Sequence, residues 1–302
     1  MTNHNADQNN VQSEINDNEV NNEIKETKET AWCPGCGNFP LRKALIKALN
    51  ELQCTPEEVV MFTGIGQAAK MPHYININGF NGLHGRSIPP AIGMRVANYK
   101  LNVIVESGDG CTYGEGGNHF LHNIRRNPDI THLVHNNQIY GLTKGQASPT
   151  TEKNMITGIQ VEGANSEPLN PVKMALSLEA SFVARGFVGE LEHLTNLIKA
   201  AIKHRGYAFI DILQPCVSFN KINTYQWYQN RVYKLKENDY DPGNYQLALK
   251  KAGQWGDEIP IGIFYKQKKE VFMDNFSQVS DKPLVEEKNK VDRIKSLYNE
   301  FS

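Results

Sequence analysis

The chain has 302 residues, of which 32 are Lys or Arg and 33 are Asp or Glu, so its formal net charge at neutral pH is −1. The chain therefore lacks the excess of basic residues that is typical of proteins that bind nucleic acid or an anionic membrane surface. No apolar run reaches membrane-spanning length, and the N-terminus lacks the apolar core of a signal peptide. We therefore expect a cytoplasmic protein that binds neither nucleic acid nor a membrane.

The composition divides the chain into three parts. Residues 1–29 are rich in Asn, Glu and Asp and carry almost no large apolar side chains, which predicts a disordered tail. Residues 30–217 have the mixture of apolar and polar residues expected of a globular domain. Residues 218–302 are aromatic and charged, and we expect them to form a smaller C-terminal extension.

The globular part alternates between helical and strand patterns. Helices are predicted at 39–52, 90–98, 116–126, 171–185 and 191–204, and strands at 59–63, 101–106, 130–135 and 207–213. Alternation of this kind indicates an α/β fold, with a parallel sheet flanked by helices. Because ligands of such sheets bind at the carboxyl ends of the strands, polar residues that follow strands should meet at one edge.

The strongest functional pattern is Gly108-Asp109-Gly110 after one predicted strand and Asn136-Asn137 after the next. Magnesium prefers oxygen ligands and takes part of its coordination shell from phosphate, and Asp109 and Asn137 both supply such oxygens. The glycines let the backbone approach a phosphate closely. Either half alone would be an ordinary turn. The pairing, with a strand before each half, favours a magnesium–diphosphate site.

Only two of the five cysteines, Cys33 and Cys36, form a close pair in the sequence. In a reducing cytosol, cysteines are more often ligands, nucleophiles or buried thiols than disulfides. The Cys-x-x-Cys spacing by itself fits a redox pair, half of a zinc site, half of an iron–sulfur site or two buried thiols. The pattern alone leaves these four readings open.

Together, the motifs resemble the thiamine-diphosphate-binding beta subunits of 2-oxoacid:ferredoxin oxidoreductases. The resemblance covers roughly residues 30 to 275 and is carried by residues 32–37, 64–66, 84–86, 108–110, 117–120, 125–127, 136–146, 148–150 and Cys216. It implies a thiamine-diphosphate-binding fold. It also implies oxidative decarboxylation of a 2-oxoacid to an acyl-CoA and carbon dioxide, with electrons passed to ferredoxin.

The resemblance also implies roles for individual residues. Magnesium ligands would be Asp109, Asn137 and the carbonyl of Ile139. Cofactor contacts would come from Ile65, Gly66, His84, Gly108, Gly110, Gly141 and Leu142. Lys70 and His84 are the candidate catalytic residues, with Lys70 facing the substrate carboxylate, although a solvated loop lysine explains Lys70 equally well.

Family members carry one [4Fe–4S] cluster on four cysteines, and three of these match Cys33, Cys36 and Cys216. At the fourth position this chain has Gln67, a poor ligand for iron in a sulfide cluster. Cys111 stands where the family usually has an acidic residue. The alternatives are that Cys111 replaces the missing thiolate, that three thiolates hold a cluster with a labile iron, or that no cluster forms. A small buried thiol is a slightly better reading of Cys111 than a ligand.

The chain resembles only the diphosphate-binding half of a thiamine enzyme, and no pyrimidine-binding half with its activating glutamate is evident. We therefore expect an obligate alpha subunit that binds the pyrimidine and coenzyme A, in a heterodimer or heterotetramer. Residues 141–146 look more like the 2-oxoglutarate or broad-range branch than the pyruvate branch. A cluster-deficient, non-oxidative thiamine-dependent decarboxylase subunit and a non-catalytic assembly subunit are the alternatives.

Overall fold

An eight-stranded sheet forms the centre of the molecule. The computed structural model describes residues 22–236, 239–276, 282–286 and 291–301. The strands of the sheet are Val59–Thr63 (β1), Asn78–Asn81 (β2), Asn102–Gly108 (β3), Ile130–Asn136 (β4), Phe182–Phe187 (β7), Tyr207–Leu213 (β8), Val232–Lys234 (β9) and Ile259–Lys266 (β10). Their spatial order is β2-β1-β3-β4-β8-β7-β10-β9, and every pair is parallel except β7 with β10. A separate hairpin joins Ile139–Tyr140 (β5) to Gln146–Ala147 (β6).

Helices cover both faces of this sheet. The α-helices of the described residues are Asn38–Glu51 (α1), Ile88–Ala97 (α2), Gly117–Arg126 (α3), Pro171–Ser177 (α4), Leu191–Ile202 (α5), Tyr225–Gln229 (α6), Tyr245–Ala252 (α7) and Val291–Glu300 (α8). Short 3-10 segments lie at Pro56–Glu58, Ala68–His73, Phe272–Asn275 and Leu284–Glu286, and one π-helical segment spans Gly110–Glu115. No helix in the part of the chain that the structure describes is long and apolar enough to cross a membrane.

The sheet separates two apolar cores. On one face, α1 and α5 pack through side chains such as Leu45 and Leu194, and on the other α3 packs through Phe120. Strands β1, β4, β7 and β8 are buried along their whole length, as expected for parallel strands covered on both faces. The predicted α/β class, with a parallel sheet flanked by helices, is confirmed.

The sequence-based prediction was wrong over residues 171–185, where it placed a single helix. The helix ends at Ser177, and Glu179 adopts a left-handed backbone with φ 55°. Residues Phe182–Phe187 form β7 instead, buried between β8 and β10. The buried Arg185 in this strand pairs with Asp211 of β8, a contact between distant residues that local periodicity does not reveal.

The C-terminal region is joined to the same sheet. Strand β10 pairs antiparallel with β7, and β9 pairs parallel with β10 at the sheet edge. The predicted boundary after residue 217 therefore separates two stretches of sequence that share one continuous sheet.

Residues 22–29, which the sequence analysis placed in a disordered tail, are packed against the fold. Ile24 is fully buried in the core, and its backbone N–H and carbonyl both bond to the side chain of Asn50, at 3.0 and 2.8 Å. Glu26 pairs with Arg42 at 2.7 Å. One large apolar side chain was enough to anchor this polar stretch. The rest of the predicted tail, residues 1–21, lies outside the described residues.

The functional edge of the sheet is set by the register of its central strands. Gly108 at the end of β3 pairs with His135, and Asn136 at the end of β4 pairs with Leu213 of β8. These three strands therefore end at nearly the same level. The polar residues that follow them come together as predicted.

Truncating Ile24 tests the packing of the N-terminal segment. Ile24→Ala removes a fully buried side chain from the core, so we expect the free energy of unfolding to fall by about 2–5 kcal/mol. The matched control is Ile156→Ala, at a position 70% exposed, which should change stability by less than about 0.5 kcal/mol. Equal effects of the two substitutions in urea unfolding would contradict the packing described for residues 22–29.

A pH-dependent stability follows from the buried His132. Its Nδ1 lies 2.6 Å from the Tyr207 hydroxyl, its Nε2 has no hydrogen-bond partner among the described residues, and burial lowers its pKa from 6.5 to about 3. Below pH 6.5 the unfolded chain takes up a proton that the folded chain excludes, so folding stability falls on acidification.

We expect the stability of the native chain to fall, relative to His132→Phe, by about 1.4 kcal/mol per pH unit below 6.5. The phenylalanine variant keeps an aromatic ring in the core but cannot be protonated. Its loss of the bond to Tyr207 shifts stability by an amount independent of pH over this range. If the stabilities of the native chain and His132→Phe, measured by urea unfolding, change with pH in parallel, His132 takes up its proton equally in the folded and unfolded states. That result would contradict the prediction.

Candidate functional site

A cavity of about 880 Å³, including its open mouth, lies at the carboxyl edge of the sheet. Every predicted site residue except Lys70 lines it: Cys33, Cys36, Ile65, Gly66, His84, Gly108, Asp109, Gly110, Cys111, Asn137, Ile139, Gly141, Leu142 and Cys216. Lys70 lines an adjoining depression that shares Ile65, Gly66 and Leu142 with the cavity. The structure thus brings the two sequence motifs, the glycine–aspartate turn and the cysteine pair, into one space.

Asp109 follows β3 directly and is 2% exposed. The hydroxyls of Ser148 and Thr150 lie 2.5 and 2.7 Å from its Oδ2. Because both hydroxyls bind the same oxygen, lone pairs of Oδ1 are left for another partner. Burial raises the pKa of Asp109 to about 6, so this carboxylate is short of solvation. A divalent cation would supply the missing stabilisation.

Behind Asp109 runs a chain of buried polar side chains. The Thr150 hydroxyl also lies 2.8 Å from Asn136 Oδ1, and Asn136 Nδ2 donates to Asp211 Oδ1 at 3.0 Å. Asp211 is in turn paired with Arg185 at 3.4 Å. Each of these side chains is at least 97% buried. A buried network of this kind restricts the rotamers of its members, and here it orients the residues that hold Asp109.

The next strand end supplies further oxygen atoms. Asn137 Oδ1 accepts a hydrogen bond from the Ile139 backbone N–H at 3.0 Å, which fixes the amide next to Ile139 in the cavity wall. Between them, Gln138 adopts φ 59°, a left-handed turn that sets the direction of the following hairpin. Asp109, Asn137 and the Ile139 carbonyl are thus three oxygen donors on adjacent strand ends. This donor set suits magnesium, which takes its remaining ligands from water or phosphate.

Glycines keep the cavity open where a phosphate would approach. A Cβ placed on Gly66, whose φ is +119°, meets no atom within 4 Å. At Gly110 the close neighbour is the Tyr140 ring, 2.2 Å from the position a Cβ would take. A side chain at either position would fill the space that a diphosphate needs or displace the ring that walls it.

His84 lies beside Glu115 at the cavity mouth. Its Nδ1 is 3.1 Å from Glu115 Oε2, but the angles do not make a hydrogen bond. The Tyr140 hydroxyl donates to the same carboxylate at 3.2 Å, and burial raises the pKa of Tyr140. His84 therefore sits in an acidic, partly exposed corner of the cavity.

Three cysteines line a second part of the same cavity. Burial raises the pKa of the Cys36 thiol to about 11, and the neighbouring thiols of Cys216 and Cys33 add to the effect. The Asn38 backbone N–H and the Gln214 side chain both point at the Cys36 sulfur, the latter at 3.8 Å. N–H donors directed at a sulfur are a feature of cysteines that bind metal clusters.

Cys111 occupies a different setting from these three thiols. Its Sγ accepts hydrogen bonds from the backbone N–H groups of Gly85, at 3.1 Å, and Ile65. A Cβ on Gly64 would lie only 2.3 Å from this sulfur. Burial raises the pKa of the Cys111 thiol. Cys111 is thus packed beneath two glycine turns, which fits the reading of a small buried thiol.

Some site residues were given no role by the sequence analysis. Ser148 and Thr150 belong to a segment that carried the family resemblance, and the structure shows that they bind Asp109. Glu106 of β3 and His135 of β4 form a buried pair at 2.7 Å. His135 also contacts Asn38 at 2.8 Å, and so connects the sheet to the Cys36 loop. An ionisable residue inside an apolar strand was the available signal, since buried charges need partners.

No group of three or more His, Cys, Asp or Glu side chains within the described ranges converges closely enough to hold a metal ion. A cation at Asp109 would therefore depend on amide, carbonyl and phosphate oxygens. The thiols of Cys33 and Cys216 lie close enough to Cys36 to raise its pKa, and all three cysteines line the one cavity.

Comparisons with known proteins agree with this geometry. The family model "Thiamine pyrophosphate enzyme, C-terminal TPP binding domain" matches residues 59–212, and the model for the C-terminal region of the pyruvate ferredoxin oxidoreductase beta subunit matches residues 216–281. A 2-oxoacid:ferredoxin oxidoreductase subunit beta of Saccharolobus solfataricus is 45% identical over 247 residues, which cover 78% of this chain and 81% of that protein.

More distant relatives carry related names. The 2-oxoglutarate synthase subunit KorB of Methanocaldococcus jannaschii is 32% identical, over 83% of this chain and 93% of that protein. Among solved structures, a 2-oxoglutarate:ferredoxin oxidoreductase from Magnetococcus marinus superposes with a TM-score of 0.84 at 33% identity, covering 91% of this chain and 94% of that one. The family resemblance predicted from the motifs is confirmed, and with it a partner subunit: this chain belongs to the beta subunits of the 2-oxoacid:ferredoxin oxidoreductases, with their thiamine-diphosphate-binding domain.

Proposed function

We propose that the chain binds magnesium and thiamine diphosphate as the catalytic beta subunit of a CoA-acylating 2-oxoacid:ferredoxin oxidoreductase. The observation that carries this proposal is the buried Asp109 carboxylate. It is held on one oxygen by Ser148 and Thr150 and lies at a strand end beside Asn137, in the same cavity as three cysteines. Thiamine diphosphate, when bound, supplies the carbanion chemistry that decarboxylates the 2-oxoacid.

The cation would be held by Asp109, Asn137 and the Ile139 carbonyl. These atoms lie on adjacent strand ends, and the network behind Asp109 keeps its carboxylate oriented. The glycine turns at 64–66 and 108–110 give the diphosphate room, with Gly141 and Leu142 at the cavity wall. His84, which lines the cavity beside Glu115, would contact the cofactor or the substrate. Lys70, which lines the adjoining depression, would bind the substrate carboxylate.

The cysteines provide the path for electrons. Cys33, Cys36 and Cys216 would hold an iron–sulfur cluster within the cavity that also receives the cofactor, so electrons leaving the substrate have a short route to ferredoxin. All five cysteines are free thiols, which fits a reducing cytoplasm. Gln67 at the usual fourth position keeps a second candidate open, a non-oxidative decarboxylase subunit without a cluster.

An alpha subunit would complete the site. The cavity is open on one side, and the exposed side chains of Leu83 (74% exposed) and Leu142 (41%) are suited to contact with another chain. We assign to that subunit the pyrimidine half of the thiamine site and the binding of coenzyme A. The Magnetococcus marinus relative was solved with 2-oxoglutarate, coenzyme A and succinyl-CoA bound, which favours 2-oxoglutarate or a broad range of 2-oxoacids as substrate.

Substitutions at Asp109 and Thr150 test the magnesium site. Thr150→Val removes a hydroxyl that orients Asp109, so we expect magnesium-dependent binding of thiamine diphosphate to weaken about 10- to 100-fold. Asp109→Asn removes the carboxylate itself and should weaken binding further. Isothermal titration of the complex co-expressed with its alpha subunit measures both. The control is Asp257→Asn, an exposed carboxylate outside the cavity. Native affinity in Asp109→Asn would refute the assignment.

The reaction is tested in the same complex, purified without oxygen. We expect coenzyme A-dependent reduction of a viologen dye with 2-oxoglutarate or with several 2-oxoacids, and none from the isolated chain. Carbon dioxide release without dye reduction would favour the non-oxidative alternative. Thiamine diphosphate binding without turnover of any 2-oxoacid would favour a role in assembly.

A further inference from the structure

The cysteine part of the cavity contains one side chain whose chemistry does not match its neighbours. Cys33, Cys36, Cys216 and Gln67 all line this cavity. A [4Fe–4S] cluster has four irons and is ordinarily held by four thiolates, one for each iron. If the proposed cluster forms here, three irons have a cysteine and one needs another donor.

Cys111 is poorly placed to be that donor. Its sulfur already accepts two backbone hydrogen bonds and is enclosed by the turns at Gly64 and Gly85. The thiols close enough to raise the pKa of Cys36 are those of Cys33 and Cys216, and Cys111 is not one of them. The charged neighbours of Cys111 are Glu115 and Asp109, the proposed magnesium ligand. Cys111 therefore lies in the part of the cavity that is proposed to bind magnesium.

Gln67 has the opposite character. Its Oε1 is buried and has no hydrogen-bond partner in the described part of the chain. Its backbone is held in place, because the Gln67 carbonyl accepts a hydrogen bond of 2.9 Å from the Trp32 indole, next to Cys33. An acceptor that is buried without a donor is costly, so such an atom points to a partner that binds there.

We propose that Gln67 is the fourth protein ligand of the cluster, through its carboxamide oxygen, and that the iron it holds is exchangeable. This inference rests on the proposed function, which places a cluster on Cys33, Cys36 and Cys216. A neutral oxygen is a weaker donor to iron than a thiolate. The cluster would also carry one negative charge fewer than a four-thiolate cluster, which raises its reduction potential.

The consequence is a reversible loss of one iron. Removal of one electron by ferricyanide releases one Fe²⁺ and converts [4Fe–4S]²⁺ to [3Fe–4S]⁺. Reduction by dithionite in the presence of Fe²⁺ returns the electron and the metal. A cluster on four thiolates should resist the same mild treatment. The three-iron form is paramagnetic and can be counted by EPR without measuring enzyme activity.

The experiment uses the full chain, reconstituted without oxygen with Fe²⁺ and sulfide, as the native protein and as Gln67→Cys. The native protein should convert largely to the three-iron form on ferricyanide treatment and recover with Fe²⁺. Gln67→Cys should keep its four irons and show a more negative reduction potential. Gln67→Glu, which retains an oxygen donor, should resemble the native protein in the EPR assay. Gln67→Ala should lose its iron more readily than either.

Two further variants separate the competing assignments. Cys54→Ser is the control for a cysteine outside the cavity and should behave as the native chain. Loss of the fourth iron in Cys111→Ser, with Gln67→Ala unaffected, would overturn the inference and assign the ligand to Cys111. Native protein that holds four irons as firmly as Gln67→Cys would also overturn it, with the proposed cluster intact. Iron binding by neither protein would refute the cluster of the proposed function itself.

Discussion

The buried carboxylate of Asp109 is the constraint on which the site depends. An ionised group with so little solvent is unfavourable unless other groups stabilise its charge, and here two hydroxyls and one backbone N–H do so from the protein side. They act on a residue that directly follows a central strand. Burial makes the pKa of Asp109 higher than that of an ordinary aspartate, and the proposed cation would offset the energetic cost of that burial.

The parallel sheet makes this arrangement possible. Strands β3, β4 and β8 end at nearly the same level, so oxygen donors from two strand ends and a cysteine that follows the third face one cavity. Two buried polar pairs, the hydrogen-bonded Glu106 and His135 and the ion pair of Arg185 with Asp211, lie within the sheet below this edge. Each connects two strands through buried polar groups that must keep their partners, so each resists sliding of one strand past the other.

Oxygen-bearing side chains and cysteines line the same cavity but come from different parts of the fold. Asp109 and Asn137 belong to the sheet edge, whereas Cys33 and Cys36 belong to the loop that precedes α1. The contact from His135 to Asn38 joins these two parts of the molecule. A shared, rigid wall of this kind suits a reaction in which electrons leave one group and enter another close by. Gln67 and Cys111, the two positions that depart from the family pattern in the sequence analysis, both line this cavity.

The sequence by itself determined the fold class, the family and the residues that line the site. Apolar strands followed by Gly-Asp-Gly or Asn-Asn are local patterns, and the position of polar groups at one sheet edge follows from strand direction alone. Only the tertiary structure decided which hydroxyls bind Asp109 and that Cys111 is enclosed while Gln67 Oε1 lacks a donor. It also showed that residues 182–187 form a strand and that Ile24 anchors the segment before Trp32. These features depend on contacts between residues far apart in the chain, such as Arg185 with Asp211, and burial of that kind leaves no periodic signal in the sequence.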